Sequence, residues 1–203
     1  DGITTQEIQK ILVKSASDLI SLESPNYQFV AARLLLFAVQ KQVFNTKWKD
    51  AEIYPPLRDI VERNVNAGLY TEDLLSDYTE EEYTKLNSYL RHSRDYEFTY
   101  AGLQQVVDKY LIQDRSTGTL FETPQFMYML IAMTLFRNYD KDKRLSYIQK
   151  YYNATSTFKI NIPTPIMAGV RTPLKQFASC VLVDSDDTLD SLFASDMAIG
   201  RYV

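Results

Sequence analysis

Apolar residues recur along most of this chain at three- and four-residue intervals, the spacing of one face of an α-helix. Thr4 and Glu7 stand at capping-box spacing ahead of Ile8, Ile11, Leu12, Ala16 and Leu19, which predicts a helix with one apolar face. Ser24-Pro25 marks a second start, with Ser as cap and Pro at the first helical position. Its stripe is Tyr27, Val30, Ala31, Leu34, Leu35, Ala38 and Val39, ending near Phe44, so the two helices read as a helical hairpin. Residues 45–54 are polar and irregular. Pro55-Pro56 opens a third helix that Gly68 closes. Thr79 and Glu82 repeat the capping box, with Glu80, Glu81 and Glu82 at the positive end of the helix dipole.

Tyr110 to Glu122 reads as a hairpin turning at Asp114-Arg115-Ser116-Thr117-Gly118. Pro124 starts a strongly apolar helix to about Asn138, and Asp140 to Thr155 makes one more. The pattern then changes. Phe158 to Ile162 alternates like a strand and stops at Pro163-Thr164-Pro165, read as a stiff extended loop. Gly169 to Pro173 is loop, and Gln176 to Val183 reads as a second strand with Cys180 in its middle. Asp184-Ser185-Asp186-Asp187 caps a final helix carrying Leu189, Leu192 and Phe193. The expected architecture is a helical region to about residue 155, followed by the first elements of an α/β domain.

The composition is that of a soluble protein: 203 residues, 45% hydrophobic and 24% charged, with net charge -4. No Lys/Arg run is dense enough to track a phosphate backbone, which argues against nucleic acid as a partner. The longest apolar stretch, Phe126 to Phe136, is far short of the roughly 20 residues that cross a bilayer. With no charged-then-apolar leader in view, the expected compartment is the cytoplasm. One cysteine and one histidine exclude an internal disulfide framework and a Cys/His zinc cluster, so no metal is expected. The opening at Asp1-Gly2 and the stop at Val203 inside a helix are read as the ends of a fragment.

Few residues invite chemistry. His92, in the charged run Arg91 to Asp95, reads as a solvated surface histidine without an orienting acid. Glu80 to Glu82 are explained by helix capping rather than by metal. Cys180 is open to two readings, a buried small hydrophobe or a redox thiol whose partner lies outside this chain. Asp184 to Asp187 is either a helix cap or a place where a sugar hydroxyl meets carboxylates at a helix start. Thr164, at the end of an expected strand, stands where α/β domains bind ligands.

The run from Ser156 to Leu182, with Pro163-Thr164-Pro165, Gly169-Val170-Arg171-Thr172-Pro173 and Gln176-Phe177-Ala178-Ser179-Cys180, resembles class I ribonucleotide reductase large subunits. It is similar to the stretch leading into their ten-stranded barrel. Pro25 to Gln28 with Ala31 to Leu34 resembles the end of the family's ATP-cone. Leu74 to Glu82, Arg94 to Tyr100 and Glu122 to Phe126 resemble its helical domain. The resemblance spans essentially the whole chain and is nearest the bacterial and phage branch. It divides the chain into an ATP-cone end (1–45), a helical domain with its hairpin near 110–122 (46–155) and the first strands of the barrel (156–203).

What the resemblance implies is an α-subunit portion of ribonucleoside-diphosphate reductase, an oxidoreductase making DNA precursors. Cys180 is then one redox-active thiol, with its partner outside this chain. Thr164 and Ser179 match positions contacting the nucleoside diphosphate. Asp187, Thr188 and Leu189 match the start of the allosteric specificity site, and Thr5 and Lys41 match two positions of the ATP-binding activity site. The glycine- and lysine-bearing segment that precedes them in the family is missing here, and residues 45–54, with Trp48, look like an insertion. No cofactor is expected in this chain. The implied partners are ATP and deoxynucleoside triphosphate effectors, the remaining α segment and a second α chain in a dimer. A β subunit carrying the metallocofactor, and thioredoxin or glutaredoxin as reductant, complete the set. The alternatives are a non-catalytic nucleotide-sensing or assembly module of the same fold, and a plain helical interaction domain.

Overall fold

The computed structural model describes residues 2–45, 54–175 and 177–202, and they are mainly helical. Among these described residues ten α-helices run in the order α1 (Thr5–Asp18), α2 (Tyr27–Phe44), α3 (Leu57–Asn66), α4 (Asp73–Ser76), α5 (Glu80–Tyr89), α6 (Tyr100–Lys109), α7 (Pro124–Phe136), α8 (Lys141–Ser156), α9 (Thr164–Gly169) and α10 (Leu189–Tyr202). A 3-10 helix, His92–Glu97, precedes α6. Between α6 and α7 lies an antiparallel pair, β1 (Gln113–Asp114) and β2 (Thr119–Leu120), with Gln113 opposite Leu120. The irregular segment read at 45–54, Trp48 included, falls almost wholly outside the described residues.

Both capping boxes form: Thr4 with Glu7 opens α1, and Thr79 with Glu82 opens α5. Gly68, at φ +71°, follows α3 in the left-handed conformation. Its N–H donates to the Val65 carbonyl while that of Leu69 reaches Asn64, the double bond of a Schellman cap. The second helix starts at Tyr27, because Ser24, Pro25 and Asn26 form the tight turn that feeds it.

α7 is the centre of the molecule. Every residue from Pro124 to Met133 is buried, and α8, α4, α9 and the 3-10 helix pack around it. The core continues through Leu36, Val39, Leu57, Ile60, Leu86, Leu103 and Ile148. α2 packs against α1 on one side and α6 on the other. Of the predicted stripe on α2, Ala31 and Val39 are buried, whereas Tyr27 and Val30 are exposed. On α1 only Val13 and Ala16 face the core; Ile8, Ile11, Leu12 and Leu19 are exposed.

Residues 158–162 are not a strand. Phe158 takes φ +59°, and the bonds Phe158 N–H to Thr155 and Lys159 N–H to Ala154 make it the Schellman cap of α8. Residues 177–183 are not a strand either, and no ladder partner lies beside them among the described residues. Pro163-Thr164-Pro165 is not an extended loop but the start of α9, where prolines fit because first-turn N–H groups need no intrahelical partner. α10 buries none of its side chains.

Candidate functional site

One fully buried ion pair organises the region around Thr164. Arg171 and Glu122, each 0% exposed, face one another, the guanidinium donating to both carboxylate oxygens. Arg171 also donates to the carbonyls of Met167 in α9 and of Tyr110 at the end of α6. Its own carbonyl accepts from Thr71 N–H at 3.0 Å. Glu122 completes its shell with Tyr70 Oη at 2.6 Å and Ile112 N–H at 2.9 Å. Burial lifts the Tyr70 phenol well above its ordinary pKa, so it stays a donor to Glu122. A buried charge pair is stable only when its remaining donors and acceptors are satisfied, as they are here. The pair ties α9, the hairpin and the start of α4 into one unit.

On that unit, the hydroxyls of Thr164 and Tyr110 lie 3.2 Å apart. Both line a cavity of about 550 Å³ whose wall includes Glu97, Thr99, Asn161 and Met167. Ser179 and Cys180 are exposed, with the Ser179 hydroxyl 3.9 Å from the Cys180 sulfur. The buried-hydrophobe reading of Cys180 is therefore wrong for this chain. Thr164 pairs with Tyr110 and Ser179 with Cys180, and no bond joins the two pairs among the described residues.

At α10 the helix cap is Thr188 rather than the aspartates: its Oγ1 accepts from Ser191 N–H at 3.2 Å and its carbonyl from Leu192 N–H at 3.0 Å. Asp187 and Leu189 flank it in the open. Thr5 and Lys41 line one cavity of about 780 Å³ between α1, α2, α6 and the hairpin, shared with Lys10, Lys14 and Asn45. Among the described residues no group of three or more His, Cys, Asp or Glu side chains is placed to hold a metal, and no helix is long and apolar enough to cross a membrane.

His92 is not a solvated surface group. Its ring stacks on Tyr54 at 3.7 Å and meets Phe126 edge-on at 4.9 Å, and burial lowers its pKa to about 4. Nearby, Asp95 is 1% exposed and accepts from Gln125 Nε2 at 2.7 Å. Tyr152 Oη donates to Gln125 at 2.6 Å and accepts from Arg91 N–H at 2.8 Å. Burial raises the Asp95 carboxyl to about 7 against the Gln125 bonds, which lower it. Neither this network nor the Arg171–Glu122 pair was assigned a role from sequence. The one available signal was that all four of Asp95, Glu122, Gln125 and Arg171 fall inside the runs that carry the resemblance.

Comparison with known proteins follows the same segments. Residues 96–175 match the family described as "Ribonucleotide reductase, all-alpha domain". Along its whole length the chain is 47% identical to ribonucleoside-diphosphate reductase 1 subunit alpha of Escherichia coli K12, and 45% identical to subunit alpha of the same enzyme from Enterobacteria phage T4. It is 32% identical over 96% of its length to the Helicobacter pylori subunit alpha. The chain spans about a quarter of these relatives: 26% of the first two and 23% of the third. Residues 96–175 thus match the all-alpha domain, and the chain along its whole length is similar to the amino-terminal region of class I ribonucleotide reductase alpha subunits from bacteria and phage.

Proposed function

We propose that this chain supplies the amino-terminal part of the catalytic α subunit of a ribonucleoside-diphosphate reductase, working with the remaining α segment and a radical-generating β subunit that carries the metallocofactor. The observation that carries the reading is Cys180: a lone thiol, exposed beside the Ser179 hydroxyl, inside the Gln176-Phe177-Ala178-Ser179-Cys180 motif. In this role Cys180 and a second thiol from the rest of the α chain are oxidised to a disulfide. The substrate's 2′-hydroxyl leaves as water, and a ribonucleoside diphosphate becomes a deoxyribonucleoside diphosphate. Two electrons pass from sulfur to carbon, and thioredoxin or glutaredoxin restores the thiols by exchange.

Thr164 and Ser179 are assigned to the substrate, each with a hydroxyl exposed for a polar contact. Asp187, Thr188 and Leu189 are assigned to a deoxynucleoside triphosphate specificity site beside an α-dimer contact, and the bare apolar side of α10 supports that placement. Thr5 and Lys41 are assigned to an ATP-responsive activity site, where Lys41 offers a compact charge to phosphate. In this reading residues 1–45 close an ATP-cone and residues 156–203 lead into the ten-stranded barrel.

The test is Cys180→Ser in the complete α protein assembled with β. Turnover with an external dithiol reductant is expected to fall to background, with deoxynucleoside triphosphate binding unchanged. Steady-state turnover equal to the parent enzyme removes the redox assignment and leaves the non-catalytic, nucleotide-sensing alternative.

A further inference from the structure

We infer that Tyr110 is a positioning residue for the substrate-binding hydroxyl of Thr164, held at its working distance by the buried Arg171–Glu122 pair. The inference rests on the reading of Thr164 as a substrate contact.

Three observations converge on it. The two hydroxyls are within hydrogen-bond reach at 3.2 Å, although Tyr110 and Thr164 are far apart in sequence. They belong to different elements, Tyr110 capping α6 and Thr164 opening α9. A single guanidinium spans the same two elements, because Arg171 donates at 2.8 Å to the Tyr110 carbonyl and also to the Met167 carbonyl in α9. Arg171 is itself immobilised by Glu122, with both side chains 0% exposed. The spacing of Tyr110 and Thr164 is therefore set by a rigid buried clamp and not by the exposed hydroxyls themselves.

The direction of the bond follows from acidity. A phenol is a stronger acid than an aliphatic alcohol and is the better donor of the two. When Tyr110 donates, the single proton of Thr164 is left free to point at a different acceptor. Donation into the Thr164 oxygen also polarises its O–H, strengthening the outgoing bond. Thr164 is exposed, so that bond is available to a ligand. For a nucleoside diphosphate the acceptor that gains most is an anionic phosphate oxygen, since bonds to charged acceptors are the stronger class. Tyr110 thus orients and sharpens a donor without touching the substrate.

The experiment is a double-mutant cycle in the complete α protein with β, following KM and kcat for a nucleoside diphosphate together with thermal melting. Tyr110→Phe keeps the ring and the backbone carbonyl and removes only the hydroxyl. It is expected to raise KM about three- to ten-fold, the worth of one hydrogen bond, with kcat within about two-fold and melting unchanged. Thr164→Val is expected to raise KM at least as much, and Tyr110→Phe to add nothing in that background. Thr164→Ser retains a hydroxyl, so sensitivity to Tyr110→Phe should persist there. Independent, multiplying effects of Tyr110→Phe and Thr164→Val overturn the inference. So does a Tyr110→Phe enzyme with parental KM while Thr164→Val is impaired, which leaves Thr164 as a substrate contact. A Thr164→Val enzyme with parental KM removes the substrate contact, and the inference with it.

Discussion

Asp95 is buried at 1% exposure, and its carboxylate accepts from the neutral amide of Gln125. Its second oxygen, together with His92 Nδ1 and Thr123 Oγ1, is buried without a hydrogen-bond partner among the described residues. The folded-state pKa of about 7 lies above the ordinary 3.8, so the native state holds a proton that the unfolded chain releases. The resulting stabilisation is complete below about pH 4 and disappears as pH rises through about 7. His92 acts in the opposite sense. Its pKa falls from 6.5 to about 4, so its contribution is present above pH 6.5 and lost as pH falls through about 4. The two slopes overlap and oppose each other between pH 4 and 6.5. Urea unfolding should show the parent losing about 1 kcal/mol of stability relative to Asp95→Asn from pH 6 to 8. An unchanged pH slope in that variant contradicts the buried acid. Nothing in Arg91-His92-Ser93-Arg94-Asp95 signals this, since charged neighbours are the mark of a solvated loop. The burial comes from α7 and α8, which close over the segment from distant positions.

At the scale of elements, local chemistry was legible and long-range pairing was not. Thr4 with Glu7, Thr79 with Glu82 and Gly68 each carry their structural reason within a few residues, and each forms as read. The hairpin with Gly118 at φ +71° and the apolar run of α7 were legible for the same cause. The strands read at 158–162 and 176–183 do not form among the described residues, because a strand needs a neighbour and none stands beside them there. Phe158 shows the ambiguity directly: an aromatic in an alternating run instead ends α8 in a left-handed conformation. The Arg171–Glu122 clamp joins elements 49 positions apart, which no local pattern reports. Glu122→Gln strands a buried guanidinium without its counter-charge and should cost about 3–5 kcal/mol in denaturant unfolding. Replacing both partners, Glu122→Leu with Arg171→Met, should recover part of that loss. A Glu122→Gln chain as stable as the parent contradicts the clamp.

Across the whole molecule, the dense core around α7 contrasts with bare apolar surface at both ends. Ile11 and Leu12 on α1 are 53% and 50% exposed, and Leu189 and Phe193 on α10 are 72% and 70% exposed. Periodicity marked these as apolar faces, and in this chain they have no cover among the described residues. An exposed apolar surface of this kind is a mark of association. The candidate site shares that character. Ser179 and Cys180 lie in an irregular, exposed segment and Thr164 sits on a clamped helix, so motif identity pointed to residues that do not bond to one another among the described residues. The most direct test is to map the thiols of the complete α protein after one turnover with β and a nucleoside diphosphate, without added reductant. The account predicts a disulfide joining Cys180 to a cysteine of the remaining α segment, formed in proportion to deoxynucleotide produced and absent when substrate is withheld. Deoxynucleotide formed while Cys180 remains a free thiol contradicts it.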